Sequence, residues 1–113
     1  MVYDFRSQTA IESYGRKTIF TEPNGFKVDY EEINGEPYVH FFFITKQVTP
    51  SLFKMMELIL EELCEVLYEE GFDELKTYTS VDNKAIIRWA KSLGFKEYQI
   101  LEKQYIFLKK EVL

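Results

Sequence analysis

The hydrophobic pattern of this chain changes its period near Thr49, and this change limits the folds that the chain can adopt. Upstream, Phe26, Val28 and Tyr30 alternate with polar residues, which is the period of a strand with one buried and one solvated face. Downstream, apolar residues recur every three or four positions as far as Gly71, which is the period of an amphipathic helix. Strands followed by a long helix and further strands predict a sheet with helices packed on it.

Three strands are predicted before the long helix. They cover residues 17–21, 26–33 and 37–45. Asn34-Gly35 between the second and the third is the strongest short hairpin signal, and Glu22-Pro23-Asn24-Gly25 is a turn sequence. The third strand is apolar almost throughout, which predicts a central strand covered on both faces. A short helix is predicted over Asp4–Tyr14.

The long helix has clear boundary signals. Thr49 is the predicted N-cap and Pro50 the first helical residue. Gly71 ends the helix in the left-handed conformation. The elements after it are a strand over 75–80, a helix capped by Asp82 or Asn83 and running to 93, and strands over 95–101 and 104–108.

These elements predict one α/β domain over residues 1–113, with a mixed sheet of the α+β kind. An antiparallel meander comes first. The strand, long helix and strand that follow form a parallel crossover, and a C-terminal strand pair closes the sheet. Hydrophobic residues make up 46% of the chain and aromatic residues 17%, which is enough large apolar surface for a single core.

The most specific motif is Asn83 to Phe95, NKAIIRWAKSLGF. An Asn, an amphipathic helix and Leu-Gly-Phe at this spacing resemble the C-terminal signature of the GNAT acetyltransferase superfamily. The resemblance covers about residues 17–110 and implies a GNAT-like fold. Within it, residues 77–96 are similar to GNAT-like proteins of short-tailed bacteriophages, of the internal virion protein type.

The GNAT resemblance implies acetyl-CoA as a cofactor, bound between two parallel strands with its pyrophosphate at the start of the long helix. Gln47 takes the first position of the family's phosphate-binding pattern, and Asn83 takes the cofactor-facing turn. Pro50 and Leu52 replace the two small residues of that pattern. Proline has no N–H to donate and leucine is bulky, so both departures oppose acetyl-CoA binding.

Catalytic residues are harder to assign. By the GNAT resemblance, Ala90 occupies the position at which many active relatives have a tyrosine that acts as the general acid. Loss of a positioned general acid lowers the rate about 10²- to 10⁴-fold. His40, the only histidine, shares a strand face with aromatic residues and is interpreted as a hydrogen-bonded core residue. Glu31 and its neighbours Glu32 and Glu36 are interpreted as solvated hairpin carboxylates.

Trp89 leaves two interpretations open. Either Trp89 packs in the core and Arg88 is solvated, or the two residues together form an exposed anchor for a protein partner.

Composition limits the partners. The formal charge of −5 argues against nucleic acid as a ligand. No apolar run is long enough to span a bilayer, and the N-terminus has no secretory pattern. Cys64 is the only cysteine, so we expect a packing role for it and a reducing, cytoplasmic location, either the host cytoplasm or a virion. No metal-ligand motif is present.

Two functions remain. The first is a degenerate GNAT-fold protein, phage-encoded, that acts without catalysis as a virion-associated or host-directed binding module. The alternative is an acetyl-CoA-dependent N-acetyltransferase with an altered cofactor loop. A protein partner is expected, and a homodimer through the C-terminal strands or the aromatic-rich sheet is a further option. The strand over 17–21 is a sheet edge that a partner strand could cover.

Overall fold

The computed structural model describes residues 16–113, which form six strands and two helices. The strands are β1 (Lys17–Glu22), β2 (Phe26–Ile33), β3 (Glu36–Phe43), β4 (Glu74–Ser80), β5 (Lys96–Leu101) and β6 (Tyr105–Glu111), and the helices are α1 (Pro50–Glu69) and α2 (Lys84–Ser92). Each element predicted within this range is present with similar bounds. The helix predicted over Asp4–Tyr14 lies outside the described residues.

The six strands form one sheet in the order β1-β2-β3-β4-β6-β5. β3 and β4 are parallel, and all other neighbours are antiparallel. The predicted mixed sheet, with its meander, parallel crossover and closing strand pair, is confirmed. β6 rather than β5 lies against β4. The reason is burial, since β6 carries the buried Ile106 and Leu108 while every residue of β5 is exposed.

The hairpin between β2 and β3 sets the register of the sheet. Asn34 and Gly35 both have positive φ, +53° and +77°, as a two-residue type I′ turn requires. Asp29 therefore lies opposite His40, and Glu31 lies opposite Tyr38. These residues share the face of the sheet that points away from α1.

Helix α1 covers the other face. It begins as predicted, with the Thr49 hydroxyl oxygen accepting from Leu52 N–H at 3.2 Å and Pro50 in the first turn. Its buried stripe consists of Met56, Ile59, Leu60, Leu63, Cys64 and Leu67. Cys64 is therefore a packing residue, and burial raises the pKa of its thiol. No helix among residues 16–113 is both long and apolar enough to cross a membrane.

Two strand predictions need correction. The alternation in β2 predicts solvated carboxylates, but Asp29 is 5% exposed and accepts a hydrogen bond from Thr18 Oγ1 at 2.7 Å. The Glu31 side chain is 14% exposed. β3 is central, as expected, but it is not covered on both faces, since Phe42 is 38% exposed. The cationic side chains of Arg16 and Lys27, rather than a helix of the described part, lie over the Phe42 ring.

Substitution of Leu63 by alanine should lower the free energy of unfolding by about 2–5 kcal/mol, because the side chain is fully buried between α1 and the sheet. Leu58→Ala on the same helix is the matched control, since Leu58 is half exposed. We expect it to cost less than about 1 kcal/mol. Urea denaturation measures both, and equal losses would contradict the packing described for α1.

Candidate functional site

The parallel strands β3 and β4 diverge along their length. Within the described residues their registered backbone pairing joins Tyr38 to Lys76, near the start of both strands. Beyond this pair a cleft of about 470 Å³ opens between them. It is lined by Arg16, His40, Phe41, Phe42, Phe43, Thr77, Tyr78, Thr79, Ser80, Asn83, Ile86 and Tyr105. The divergence creates a site in the middle of the sheet.

This cleft reaches both faces of the sheet. Successive side chains of a strand point to opposite faces, and both sets line it. Phe43 and Thr77 belong to the face that α1 covers, whereas His40, Phe42 and Tyr78 belong to the other face. A ligand entering from one side can therefore meet a second ligand that enters from the other.

A polar cluster around the buried His40 lies at one wall of the cleft. Glu31 Oε1 lies 2.7 Å from His40 Nε2, 3.3 Å from the Tyr78 hydroxyl and 3.4 Å from Arg16 Nη2. Arg16 Nη2 also donates to the Tyr78 oxygen at 3.1 Å. The rings of His40 and Tyr78 pack edge to face, with centroids 4.8 Å apart. Glu31 is thus the common acceptor of the cluster.

The charges of this cluster follow from burial and from the neighbouring groups. Burial opposes ionisation of Glu31, but the His40 hydrogen bond and the Arg16 cation outweigh it, so the pKa of Glu31 is lowered. Burial and Arg16 lower the pKa of His40 despite Glu31. Burial and the Glu31 charge raise the pKa of Tyr78. At neutral pH the cluster therefore contains a carboxylate, a neutral imidazole that donates from Nε2, and a neutral phenol.

Asn83 lies where the sequence predicts, at the turn between β4 and α2, and it lines the cleft. Its Oδ1 accepts from Ile86 N–H at 3.4 Å, and its Nδ2 donates to Thr79 Oγ1 at 3.4 Å. The side chain therefore caps α2. Its predicted part in cofactor binding remains a prediction, because the cap alone accounts for this geometry.

Gln47 lies apart from the cleft-lining residues, in the loop between β3 and α1. Its side chain is exposed, and its backbone N–H donates to Thr45 Oγ1 at 3.2 Å. The loop is fastened to the β1–β2 turn, since Gly25 O accepts from Ile44 N–H at 2.8 Å and from Thr45 N–H at 3.2 Å. The predicted cofactor role of Gln47 stays a prediction.

The start of α1 has few free donors. Pro50 has no N–H, Leu52 N–H donates to Thr49 Oγ1, and Phe53 N–H donates to Thr49 O at 3.0 Å. Among the backbone amides of residues 50–53, Ser51 N–H is the one without a partner. The Leu52 side chain packs over Gly25, where an added Cβ would lie 2.6 Å from Leu52 Cδ2. A pyrophosphate needs several converging N–H groups, so this helix start does not fit it.

Three aromatic rings lie between the cleft and the start of α1. The Trp89 ring lies 4.8 Å from Phe53 and 5.6 Å from Phe43, measured between centroids. This aromatic bracket (Phe43, Phe53 and Trp89) joins α2 to α1 and to the end of β3. Trp89 is half-buried and Arg88 is exposed, which favours the packing interpretation of Trp89.

His40 and Glu31 are singled out from the sequence, but their contacts with each other, with Tyr78 and with Arg16 are not predicted. The hairpin register places position 31 opposite position 38, and the parallel register pairs 38 with 76. The first register follows from the Asn34-Gly35 turn, and the second follows from the parallel crossover between β3 and β4. Applied together, they place Glu31, His40 and Tyr78 on one face. No group of three metal-ligating side chains occurs within residues 16–113.

No family model and no curated protein sequence matches this chain. Several solved structures match the fold of this chain. A spermidine N-acetyltransferase SpeG chimera from Vibrio cholerae and hSSAT matches with a TM-score of 0.65 and 11% identity, over 96% of this chain and 72% of that one. A putative GnaT-family acetyltransferase from Bordetella pertussis matches with a TM-score of 0.59 and 13% identity, over 85% and 65%.

An N-acetyltransferase from Staphylococcus aureus Mu50 matches with a TM-score of 0.54 and 11% identity, over 78% of this chain. The matched part spans 60% of that protein's length. Similarities at such low identity establish the fold. The chain therefore has the GNAT acetyltransferase fold that the Asn83–Phe95 motif predicts.

The stability of the protein should fall as the pH drops from about 7 to about 5. His40 is the only histidine, and its pKa in the folded state is lowered, so the unfolded chain binds the proton first, near pH 6.5. Glu31, whose folded pKa is also lowered, adds a further loss below about pH 4.5. Urea unfolding at a series of pH values measures both effects.

His40→Gln is the control for this pH dependence. It should flatten the profile between about pH 7 and pH 5, and it should reduce but not abolish the loss below about pH 4.5, because Arg16 still lowers the pKa of Glu31. A wild-type stability that is constant or increases on acidification to pH 5 would contradict the buried, neutral state of His40.

Proposed function

We propose that this GNAT-fold chain does not transfer acetyl groups and acts as a binding module for a protein partner. The observation that carries the proposal is the start of α1. Of residues 50–53, Ser51 alone offers an amide to a pyrophosphate, because Pro50 has no N–H and the Leu52 and Phe53 amides donate to Thr49. The helix dipole alone is a weak, screened attraction for an anion.

The aromatic bracket supports the same conclusion. The GNAT resemblance implies that a coenzyme would run from the cleft to the start of α1. Trp89 contacts Phe53 across that path with centroids 4.8 Å apart. Opening that path would expose apolar rings that are now in contact, which costs free energy.

The cellular setting of the proposal rests on the sequence of residues 77–96. Their similarity to GNAT-like proteins of short-tailed phages supports a phage-encoded protein, either virion-associated or directed at a host component. Retention of the fold without its phosphate-binding loop is compatible with that role, because a binding module needs the scaffold and its surfaces rather than the cofactor.

A second candidate function is N-acetyl transfer with an altered cofactor loop. It is favoured by the cleft, whose lining residues come from both faces of the sheet, and by His40 on its wall, which is hydrogen-bonded to Glu31. The solved structures of similar fold carry acetyltransferase names. In this case acetyl-CoA would have to bind without the loop contacts that the family pattern supplies. Asn83 would then matter for activity.

Isothermal titration with acetyl-CoA, together with an acetyl-transfer assay on a panel of amines, separates the two functions. We expect no saturable binding at millimolar acetyl-CoA and no transfer, because the pyrophosphate lacks partners. Micromolar binding with transfer would overturn the proposal. Asn83→Ala would then abolish transfer while lowering stability by about 1 kcal/mol, the usual loss for a removed N-cap.

A further inference from the structure

The groove between β1 and α1 is separate from the cleft. Its volume is about 380 Å³, and it is lined by Phe20, Thr21, Glu22, Met55, Leu58, Ile59 and Glu62. Most of these side chains are apolar, and Leu58 is half exposed. The groove therefore combines an accessible apolar floor with two carboxylates.

Strand β1 forms one rim of this groove and is an outer strand of the sheet. No other strand of the described residues pairs with its outer edge. Its pairing with β2 is irregular between Thr18 and Phe20 and regular from Phe20 to Glu22. An outer strand with a regular backbone can accept an additional strand through main-chain hydrogen bonds.

The two carboxylates give the groove a preference for positive charge. The Oε2 atom of Glu62 is buried and has no hydrogen-bond partner among the described residues. Glu22 accepts from Asn24 N–H at 3.0 Å, and no lysine or arginine among residues 16–113 forms an ion pair with it. The segment from Glu57 to Glu74 contains eight acids and no base. A buried carboxylate without a donor is costly, and a cationic side chain would supply both the donor and the charge.

We propose that this groove binds an extended peptide segment of a protein partner, in which an apolar residue is flanked by two basic residues on the same face. The segment would add to β1 as a further strand. Alternate residues of a strand share a face, so the pattern is basic, any, apolar, any, basic. The apolar residue contacts Phe20, Leu58 and Ile59, and the basic residues reach Glu22 and Glu62.

This inference rests on the proposed function, because it identifies where the binding module takes its partner and of which chemistry. It uses none of the residues of the cleft. The proposed function and the docking site can therefore be overturned independently of each other. Acetyl transfer by the purified protein would overturn the proposed function, and failure of the peptide experiment below would overturn the docking site alone.

Fluorescence polarisation with a short labelled peptide containing Lys-Thr-Leu-Thr-Lys tests the site. An isomer containing Lys-Leu-Thr-Thr-Lys places the leucine on the face opposite both lysines, and a third peptide carries Glu in place of both Lys. We expect saturable binding of the first peptide, at least about tenfold weaker binding of the isomer, and no binding of the acidic peptide. Equal binding of the two isomers would overturn the inference.

Two variants locate the binding. Glu62→Gln should weaken the first peptide by about tenfold, because it removes the buried charge. Glu61→Gln removes the same charge from an exposed position outside the groove, and its effect should stay below about threefold. Leu58→Ala, which leaves the core intact, should also weaken binding. Equal effects of Glu62→Gln and Glu61→Gln would show a non-specific charge effect and overturn the site.

Sedimentation velocity on the same samples tests whether a second copy of this chain, rather than a peptide, occupies the groove. We expect a monomer whose sedimentation is unchanged by Leu58→Ala. A dimer that dissociates in Leu58→Ala and is not displaced by the peptide would assign the groove to a second copy of this chain and overturn the inference.

Discussion

The contact between α1 and the sheet holds the two halves of this molecule together. β3 and β4 share one registered backbone pair, Tyr38 with Lys76, so main-chain hydrogen bonds contribute little at the junction. Instead, the buried stripe of α1 spans it and contacts apolar residues of strands on either side. Burial of a large aliphatic side chain contributes about 1.5–3 kcal/mol. Hydrophobic contact therefore replaces strand pairing where the strands diverge.

This arrangement leaves a cleft in the middle of a stable sheet. Its wall is polar and well satisfied, because Glu31 accepts from His40, Tyr78 and Arg16. On its helix-covered side the aromatic bracket joins α2 to α1 and to the end of β3. The fold by itself does not establish the chemistry, which depends on the residues of the site.

Much of the fold follows from local signals. Asn34-Gly35 forms the predicted type I′ turn, Thr49 and Pro50 begin α1, and Gly71 and Gly94 have positive φ after their helices. Such residues act through their own backbone conformation, so the sequence is sufficient to predict these turns and helix ends. The insertion of β6 between β4 and β5 was not predicted, since it depends on which of two similar strands buries more apolar surface.

The site was predicted less completely, and for a physical reason. The sequence identifies Gln47 and Asn83 by resemblance, but the burial of Asp29 and Glu31 depends on side chains from four separate segments. Arg16 lies just before β1, and no periodic pattern in the sequence indicates that its side chain reaches the cluster. Alternation predicts which face a residue occupies. It does not predict whether neighbouring side chains then cover that face.

The central claim is that the helix start at Pro50 cannot hold a diphosphate. A titration of the ¹⁵N-labelled protein with coenzyme A, followed through backbone amide resonances, tests it directly. The account predicts that the Ser51 and Leu52 amides, and the Trp89 indole, keep their chemical shifts up to millimolar ligand. Saturable shifts of these signals, together with that of Asn83, would contradict it.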